Sequence, residues 1–290
     1  MAEAAWQWLT SHLSESSLWL ATAGVHTGTF VTFTGFFWII QRFNLLHQYR
    51  IQKKSPPNDL AKEALREVII KHLIVGPLSF WLLTPVARLT QIIDKTNPKM
   101  TPNAIFPSVT EIIAQIFFFI LIQDTIFYWG HRALHTSFLY KLIHKKHHRF
   151  HQNIGIASEF ANPVEDTINT IALIAGPFLM GTHLVTLWIW FFIRIWETVD
   201  AHSGYALPFP LSPFALFDVA KRHDFHHSQN RGCYGSFFGI WDILLGTDKE
   251  FKIFEQAKKE KQIKGGGDEQ QANDPTGRGK KRKNVEDKTD

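Results

Sequence analysis

The stretch Leu18–Ile40, LWLATAGVHTGTFVTFTGFFWII, runs for 23 residues without an Asp, Glu, Lys or Arg. As a helix it can cross the ~30 Å hydrocarbon layer of a bilayer, a task that takes about 20 apolar residues. A cleaved leader would open on positive charge and carry a shorter apolar core. The first Lys or Arg of this chain is Arg42, so Leu18–Ile40 reads as a retained membrane helix. Three further apolar stretches extend that reading to the fold class, an all-α, polytopic membrane bundle.

The first of these, Val68–Leu89, is interrupted by Lys71 and His72 and should kink at Gly76-Pro77 and Thr84-Pro85. Such prolines are tolerated in membrane helices when neighbours re-satisfy the freed carbonyls. The next, Val109–Trp129, carries Glu111, Gln115, Gln123 and Asp124. Polar groups at that depth face the protein interior. Ile168–Trp196, broken by Gly176-Pro177 and Gly181, is expected to form a helical hairpin turning near Gly181. Each arm of about 14 residues would reach ~21 Å. His183, beside that turn, needs a buried partner.

Basic residues crowd the loop between the first two stretches (Arg42, Arg50, Lys53, Lys54, Lys62, Arg66, Lys71) and thin out before the third (Arg88, Lys95, Lys99). Positive-inside logic puts the crowded loop in the cytosol, and three crossings bring the chain back to the cytosol at His131. The expected organisation is an N-terminal membrane region over 1–110, a catalytic region over 111–251 and a polar, disordered tail over 252–290. The tail's basic run Lys280-Lys281-Arg282-Lys283 belongs with a solvated segment near anionic lipid. A nuclear or nucleic-acid role conflicts with the membrane spans. The single cysteine, Cys233, excludes an internal disulfide, thiolate zinc fingers and cysteine-held iron–sulfur clusters. No dinucleotide-binding or phosphate-loop glycine pattern is present.

The chain has fifteen histidines, and eight of them fall into three groups: His131-Arg-Ala-Leu-His135, His144-Lys-Lys-His147-His148 and His223-Asp-Phe-His226-His227. The repeated His-x-x-His-His spacing is too rare at this composition to be an accident. On a helix, positions i, i+3 and i+4 share a face, so each group can aim two or three imidazoles at one point. Eight imidazoles exceed what one tetrahedral ion accepts, and neutral imidazole suits iron, zinc, copper and nickel. Two metals, read as two irons that activate dioxygen, make a histidine-rich di-metal site on the cytosolic side. Asp124 lies on the helix face of His131 and His135, where a carboxylate could fix a ring tautomer; Asp200 and Asp224 are candidates for the same task. His12, His26, His47, His72, His151 and His183 lack such grouping and read as structural. All eight grouped histidines lie beyond Trp129, outside the apolar runs, which suits a rim site that a lipid can enter sideways and disfavours a metal transporter.

At these groups the chain resembles the fatty acid hydroxylase superfamily of membrane di-iron oxygenases, over about Glu111 to Phe251. Within it the chain is most similar to the C-4 methylsterol oxidases, through Ser158-Glu-Phe-Ala-Asn-Pro-Val-Glu165, Arg194-Ile-Trp-Glu-Thr-Val-Asp-Ala-His-Ser-Gly-Tyr205 and Trp241-Asp-Ile-Leu-Leu-Gly-Thr-Asp248. The resemblance implies His202 as a ninth ligand beside the eight. It also implies oxidation of a sterol C-4 methyl group by dioxygen in successive steps, in the endoplasmic reticulum membrane. Electrons would come from cytochrome b5 and its NADH-dependent reductase, since the chain carries no flavin, nicotinamide or haem motif of its own. The basic loop around Lys145 and Lys146 is the expected dock for that acidic donor. Related members act on a sterol side chain or a fatty acyl chain. The chain departs from the pattern at Asn162 (commonly histidine), Arg222 (histidine) and Cys233 (asparagine).

Overall fold

A computed structural model describes residues 2–12, 15–79, 81–82 and 105–272. The chain forms two units, Met1–Thr247 and Asp248–Asp290. The first unit is built from helices: α1 (Ala2–Ser11), α2 (Glu15–Arg42), α3 (Asn58–Ile70), α4 (Val109–Leu134), α5 (Ser137–Leu142), α6 (Pro163–Met180), α7 (Leu184–Ala201), α8 (Val219–Gln229) and α9 (Ile240–Leu245). Among the described residues there is no strand, only an isolated bridge between Arg50 and Tyr205.

Two pairings frame the bundle: α2 lies along α7, and α4 along α6. Among the described residues, α2 and α4 are long and apolar enough to cross a membrane. Each buries a narrow stripe, Leu18, Phe30 and Phe37 on α2 and Phe119 and Tyr128 on α4, and leaves large apolar side chains such as Leu20, Val31, Trp38, Ile113 and Phe117 exposed. An uncovered apolar face of that extent is a liability in water and suits contact with lipid.

Of the polar side chains of α4, Gln115, Gln123 and Asp124 are buried as expected, while Glu111 in its first turn is exposed. Ser108 caps the helix by accepting from the Glu111 N–H (3.2 Å), and Gln115 accepts from the Thr182 hydroxyl. The helix also runs five residues beyond the expected Trp129. His131 therefore sits in its last turn and His135 caps it.

The second apolar stretch differs from expectation. Its helix starts at Asn58, ten residues before Val68, and α3 is amphipathic, burying Leu60, Ala64 and Val68 at i, i+4, i+8. It then opens into a π-helical turn, Lys71–Val75. The cause lies two residues further on. Pro77 has no N–H to donate, and the Gly76 N–H reaches back five residues, to the Lys71 carbonyl. Residues 83–89, with the expected kink at Thr84-Pro85, lie outside the described residues.

The hairpin forms, with longer arms than the sequence suggests. α6 and α7 have 18 residues each, about 27 Å at 1.5 Å per residue, because neither Gly176 nor Pro177 ends α6. Gly181 closes it at φ 53°, a left-handed conformation that glycine adopts without steric cost. His183 finds its partner as the cap of α7: its Nδ1 accepts from the Val185 N–H (3.1 Å), and its ring packs edge-on against Trp6. Gly176 lets α6 approach α4; a Cβ there would stand 2.8 Å from a Phe119 ring carbon and 3.0 Å from the Phe119 Cα. In the core beside it, Trp190 donates its indole N–H to the Leu173 carbonyl (2.8 Å) and packs on Phe237.

In the second unit, α10 (Lys249–Ala272) is a helix where a disordered tail was expected. Its Lys, Glu, Gln and Ala residues are good helix formers, and Gln256 pairs with Glu260 one turn on. Residues 273–290 lie outside the described residues.

Because Gly176 touches the Phe119 backbone, Gly176→Val should force α4 and α6 apart at a cost of about 2 kcal/mol. The measurement is the thermal midpoint of the detergent-solubilised protein. An unchanged midpoint would show that the two helices do not pack at this point.

Candidate metal centre

Nine buried or half-buried imidazoles meet where α4, α7 and α8 end against the 3₁₀ turn His144–Arg149. They form two clusters. His131, His135, His144, His148 and His226 make one, and His147, His202, His223 and His227 the other; within each, the ligand atoms all lie within 4.8 Å of one another. Each i, i+4 pair (His131/His135, His144/His148, His223/His227) stays together, as a shared helix face dictates.

The sequence groups themselves do not each serve one point. His147 and His226 cross over to the opposite cluster from their i, i+4 neighbours. The second group is also 3₁₀, not α. His144 and His148 still face one cluster while His147 faces the other, so the group spans both.

The ring nitrogens divide their work. On the outer side, Nδ1–H groups donate to backbone carbonyls: His131 to Tyr234 (3.0 Å), His147 to Phe160 (3.2 Å), His202 to Thr198 (2.7 Å), His226 to Gly232 (2.6 Å) and His227 to Phe150 (3.0 Å). His144 Nδ1 stands 2.9 Å from the Glu165 carboxylate. A carbonyl accepts only, so these contacts fix the tautomer and leave Nε2 with a free lone pair.

On the inner side the Nε2 atoms converge. Neighbours approach to 3.1 Å (His131–His144), 3.0 Å (His135–His226), 2.8 Å (His202–His223) and 3.0 Å (His223–His227). In the His131–His144 pair both rings are fixed by an outer Nδ1 contact, so two lone pairs face each other there; they cannot hydrogen-bond, and a cation between them would satisfy both. Protons are disfavoured in that role. Burial, reinforced by the imidazoles around it, holds His135 down to about 2. Burial lowers His147 to about 4 against the opposing pull of the Phe160 carbonyl. It also holds His148, His202, His223, His226 and His227 well below the ordinary imidazole range. Neutral, tautomer-fixed imidazoles within 4.8 Å fit a metal with ~2.0–2.1 Å bonds to nitrogen.

The three aspartates take different positions from the expected one. Asp124 does not meet an imidazole: it accepts the N–H groups of Ser236 (3.2 Å), Phe237 (2.8 Å) and Phe238 (3.2 Å). The ring nitrogen expected to face it belongs to His131 and faces Tyr234 instead. Asp200 accepts from the Ser212 hydroxyl (3.0 Å), and Asp224 accepts from Gln52 (2.8 Å). The carboxylate that does reach a ring is Glu165. Asn162 orients its helix by accepting from the Val164 N–H (3.0 Å).

Asp242, unremarked in the sequence apart from its motif, ties the other supporting loop. It accepts from the N–H groups of Tyr234 and Gly235 (2.8 Å each), from the Thr247 hydroxyl (2.6 Å) and from Arg222 (2.8 Å). That loop supplies the Gly232 and Tyr234 carbonyls. Cys233 lies between them at φ 52°, a left-handed position where asparagine is the easier residue.

A third group, absent from the sequence reading, joins His26, His72 and Glu159. Forty-six residues separate its two histidines, so no local spacing could reveal it. The group lines a cavity of about 330 Å³ that also reaches His131, His147, His202 and His223.

The sequence model of the fatty acid hydroxylase family matches residues 116–247. The chain is 36% identical to the very-long-chain aldehyde decarbonylase GL1-8 of Oryza sativa subsp. indica, over 90% of this chain and 97% of that protein. It is 35% identical to methylsterol monooxygenase 2-2 of Arabidopsis thaliana, over 90% and 97%. To the C-4 methylsterol oxidase of Schizosaccharomyces pombe it is 33% identical, over 74% and 72%. No solved structure matches the chain.

Two predictions follow from the division of the rings. His147 and His148 adjoin in sequence and serve different clusters, so His147→Ala and His148→Ala should each lose about half the bound metal, and the double variant nearly all. Element analysis of purified protein checks this; full loss in either single variant would mean one shared site. Second, the imidazoles titrate near 6.5 when unfolded and well below that when folded. The unfolded chain therefore binds more protons on acidification, and stability falls as pH drops from about 7 to 5. Thermal midpoints of metal-free protein across that range should decline steadily; a flat profile would contradict the neutral, buried rings.

Proposed function

Since the chain belongs to the fatty acid hydroxylase family, we propose that it is a membrane di-iron monooxygenase that oxidises a C-4 methyl group of sterol precursors. The observation that carries this reading is the pair of Nε2 clusters opening onto one apolar cavity, together with the methylsterol-oxidising relatives. The nine histidines are the metal ligands: five for one ion and four for the other. When bound, two irons supply the power to activate dioxygen and oxidise an unactivated methyl group.

The chain's own residues do the rest. The Nδ1 hydrogen bonds hold every ring that makes them in the ligating tautomer. Glu165, Asp124 and Asp242 act one step further out, on a ring or on the loops that hold one, and Asp200 and Asp224 brace the chain beside His202 and His223. Phe127, Leu134, Leu173, Phe191 and Ile195 line the cavity, exclude water from the metal edge and match an apolar substrate. Residues 111–251 make the catalytic part. Residues 1–110 supply the membrane region, whose α2 and π turn help to close the cavity, and 252–290 are a polar appendage. The protein resides in the endoplasmic reticulum membrane as a multi-pass chain, with the metal centre facing the cytosol.

Electrons come from an external cytochrome b5-type donor and its NADH-dependent reductase. Lys146 pairs with Glu67 and Arg149 with Glu63. Lys141 and Lys145 stay exposed beside the second histidine group and offer the charge for an acidic partner.

The rice relatives' names favour a second reading, action on a long acyl chain. Product analysis separates the two. Cells lacking the protein should accumulate 4-methylsterols under the first reading and unmodified acyl lipids under the second. Reversing Lys141 and Lys145 to Glu should raise the KM for the donor about tenfold at low salt, and less at high salt. Unchanged turnover at low salt would remove this docking site.

A further inference from the structure

The π turn at Lys71–Val75 re-aims two side chains into the cavity; such turns recur at functional sites. Lys71 forms an ion pair with Asp166 (2.6 Å) and donates to the Glu159 backbone carbonyl. The His72 ring stacks on Phe30 and places Nδ1 2.9 Å from the Thr27 hydroxyl and Nε2 2.9 Å from Glu159 Oε2. Both ring nitrogens thus have a polar neighbour. With Nε2–H facing the carboxylate, Nδ1 accepts from Thr27. That is a relay holding a carboxylate in place, unlike the convergent lone pairs of the metal clusters.

The carboxylate is incompletely used. Glu159 Oε1 is buried and has no hydrogen-bond partner. Burial opposes its charge, yet His72, His26 and Lys71 outweigh burial and hold the carboxyl below its ordinary range. A buried anionic oxygen without a partner is costly, and this one lines an otherwise largely apolar cavity. It needs a donor from the occupant. Carbonyls, esters and hydrocarbon chains offer none; an alcohol does.

Its location narrows the alcohol. Phe160, whose carbonyl holds the ligand-ring of His147, is the next residue after Glu159, one ~3.8 Å Cα step away. Glu159 also lines the same cavity as His147, His202 and His223, so the occupant's hydroxyl and the carbon to be oxidised share that one cavity. In a 4-methylsterol the C-3 hydroxyl and the C-4 methyl sit on neighbouring ring carbons. In a sterol oxidised on its side chain they lie at opposite ends of the molecule.

We propose that Glu159 Oε1 accepts the C-3 hydroxyl of the sterol, with His72 and Thr27 as positioning residues, and that this anchor delivers the C-4 methyl to the metal edge. This rests on the sterol reading given above. The test uses metal-loaded enzyme under anaerobic conditions, without reductant, so that binding is read without turnover. The probes are a 4-methylsterol and its 3-deoxy analogue.

In the wild type, removing the hydroxyl should raise Kd about tenfold or more, as expected for a hydrogen bond to a charged group. In Glu159→Leu the two sterols should bind within about twofold of each other, with metal content unchanged. Should E159L fail to fold, the wild-type pair of Kd values still decides. Equal wild-type affinities, with both sterols oxidised once reductant and dioxygen are supplied, would overturn the anchor and leave the C-4 oxidation standing. Failure to bind or oxidise any 4-methylsterol would overturn both. A third metal ion per chain, lost in E159L, would also overturn it, because His26, His72 and Glu159 would then be a metal site.

Discussion

The hydrogen bond from a buried imidazole Nδ1–H to a backbone carbonyl is the contact on which the rest of the structure depends. The acceptors are Phe150, Phe160, Thr198, Gly232 and Tyr234, drawn from segments far apart in the chain. A ring that donates outward must point its lone pair inward, and the fold places the donors in a ring around two points. A polar core of this kind is stable only if each group is satisfied. Outside, carbonyls provide that; inside, only cations can. Much of the buried acidic side-chain inventory keeps those carbonyls in place. Asp124 and Asp242 together gather the N–H groups of Tyr234, Gly235, Ser236, Phe237 and Phe238. Arg222, one of the three departures from the family pattern, closes the same network through Asp242.

The apolar helices set where this centre can sit. α4 carries His131 in its last turn and is capped by His135, and α7 is capped by His202, so two helix termini deliver ligands to one level. The close pairing of α4 with α6 at Gly176, and of α2 with α7 through the stacked Phe33 and Trp196, leaves a cavity between the pairs. Phe127, Leu134, Leu173, Phe191 and Ile195 line it together with Lys71, Glu159, Asp166 and Arg194, and His131, His147, His202 and His223 border it too.

The sequence made some of this legible and hid the rest for physical reasons. Local periodicity exposed the i, i+4 histidine pairs, the length of α2 and the hairpin at Gly181, because those features depend on neighbours within one or two turns. It overextended in two places. Val68–Leu89 read as an apolar span interrupted at Lys71 and His72 and kinked at Gly76-Pro77, but amphipathic α3 begins ten residues before it and a π turn stands directly before Gly76-Pro77. The second histidine group looked α-helical and is 3₁₀, and like the α-helical third group it is divided between the clusters. Asp124 shares a face with His131 and His135, as the spacing said, yet a loop over a hundred residues away claims its carboxylate. His26, His72 and Glu159 were invisible, since only tertiary packing joins them. The carbonyl acceptors carry no side-chain signature at all.

The claim that the inward lone pairs exist to hold two ions is tested most directly by counting metal. Protein purified without chelator, analysed for metal and protein in the same sample, should contain two ions per chain. Stripping them should abolish oxidation, and reloading with iron should restore both the count and the activity. A protein that oxidises its substrate with one ion per chain or none would contradict the account.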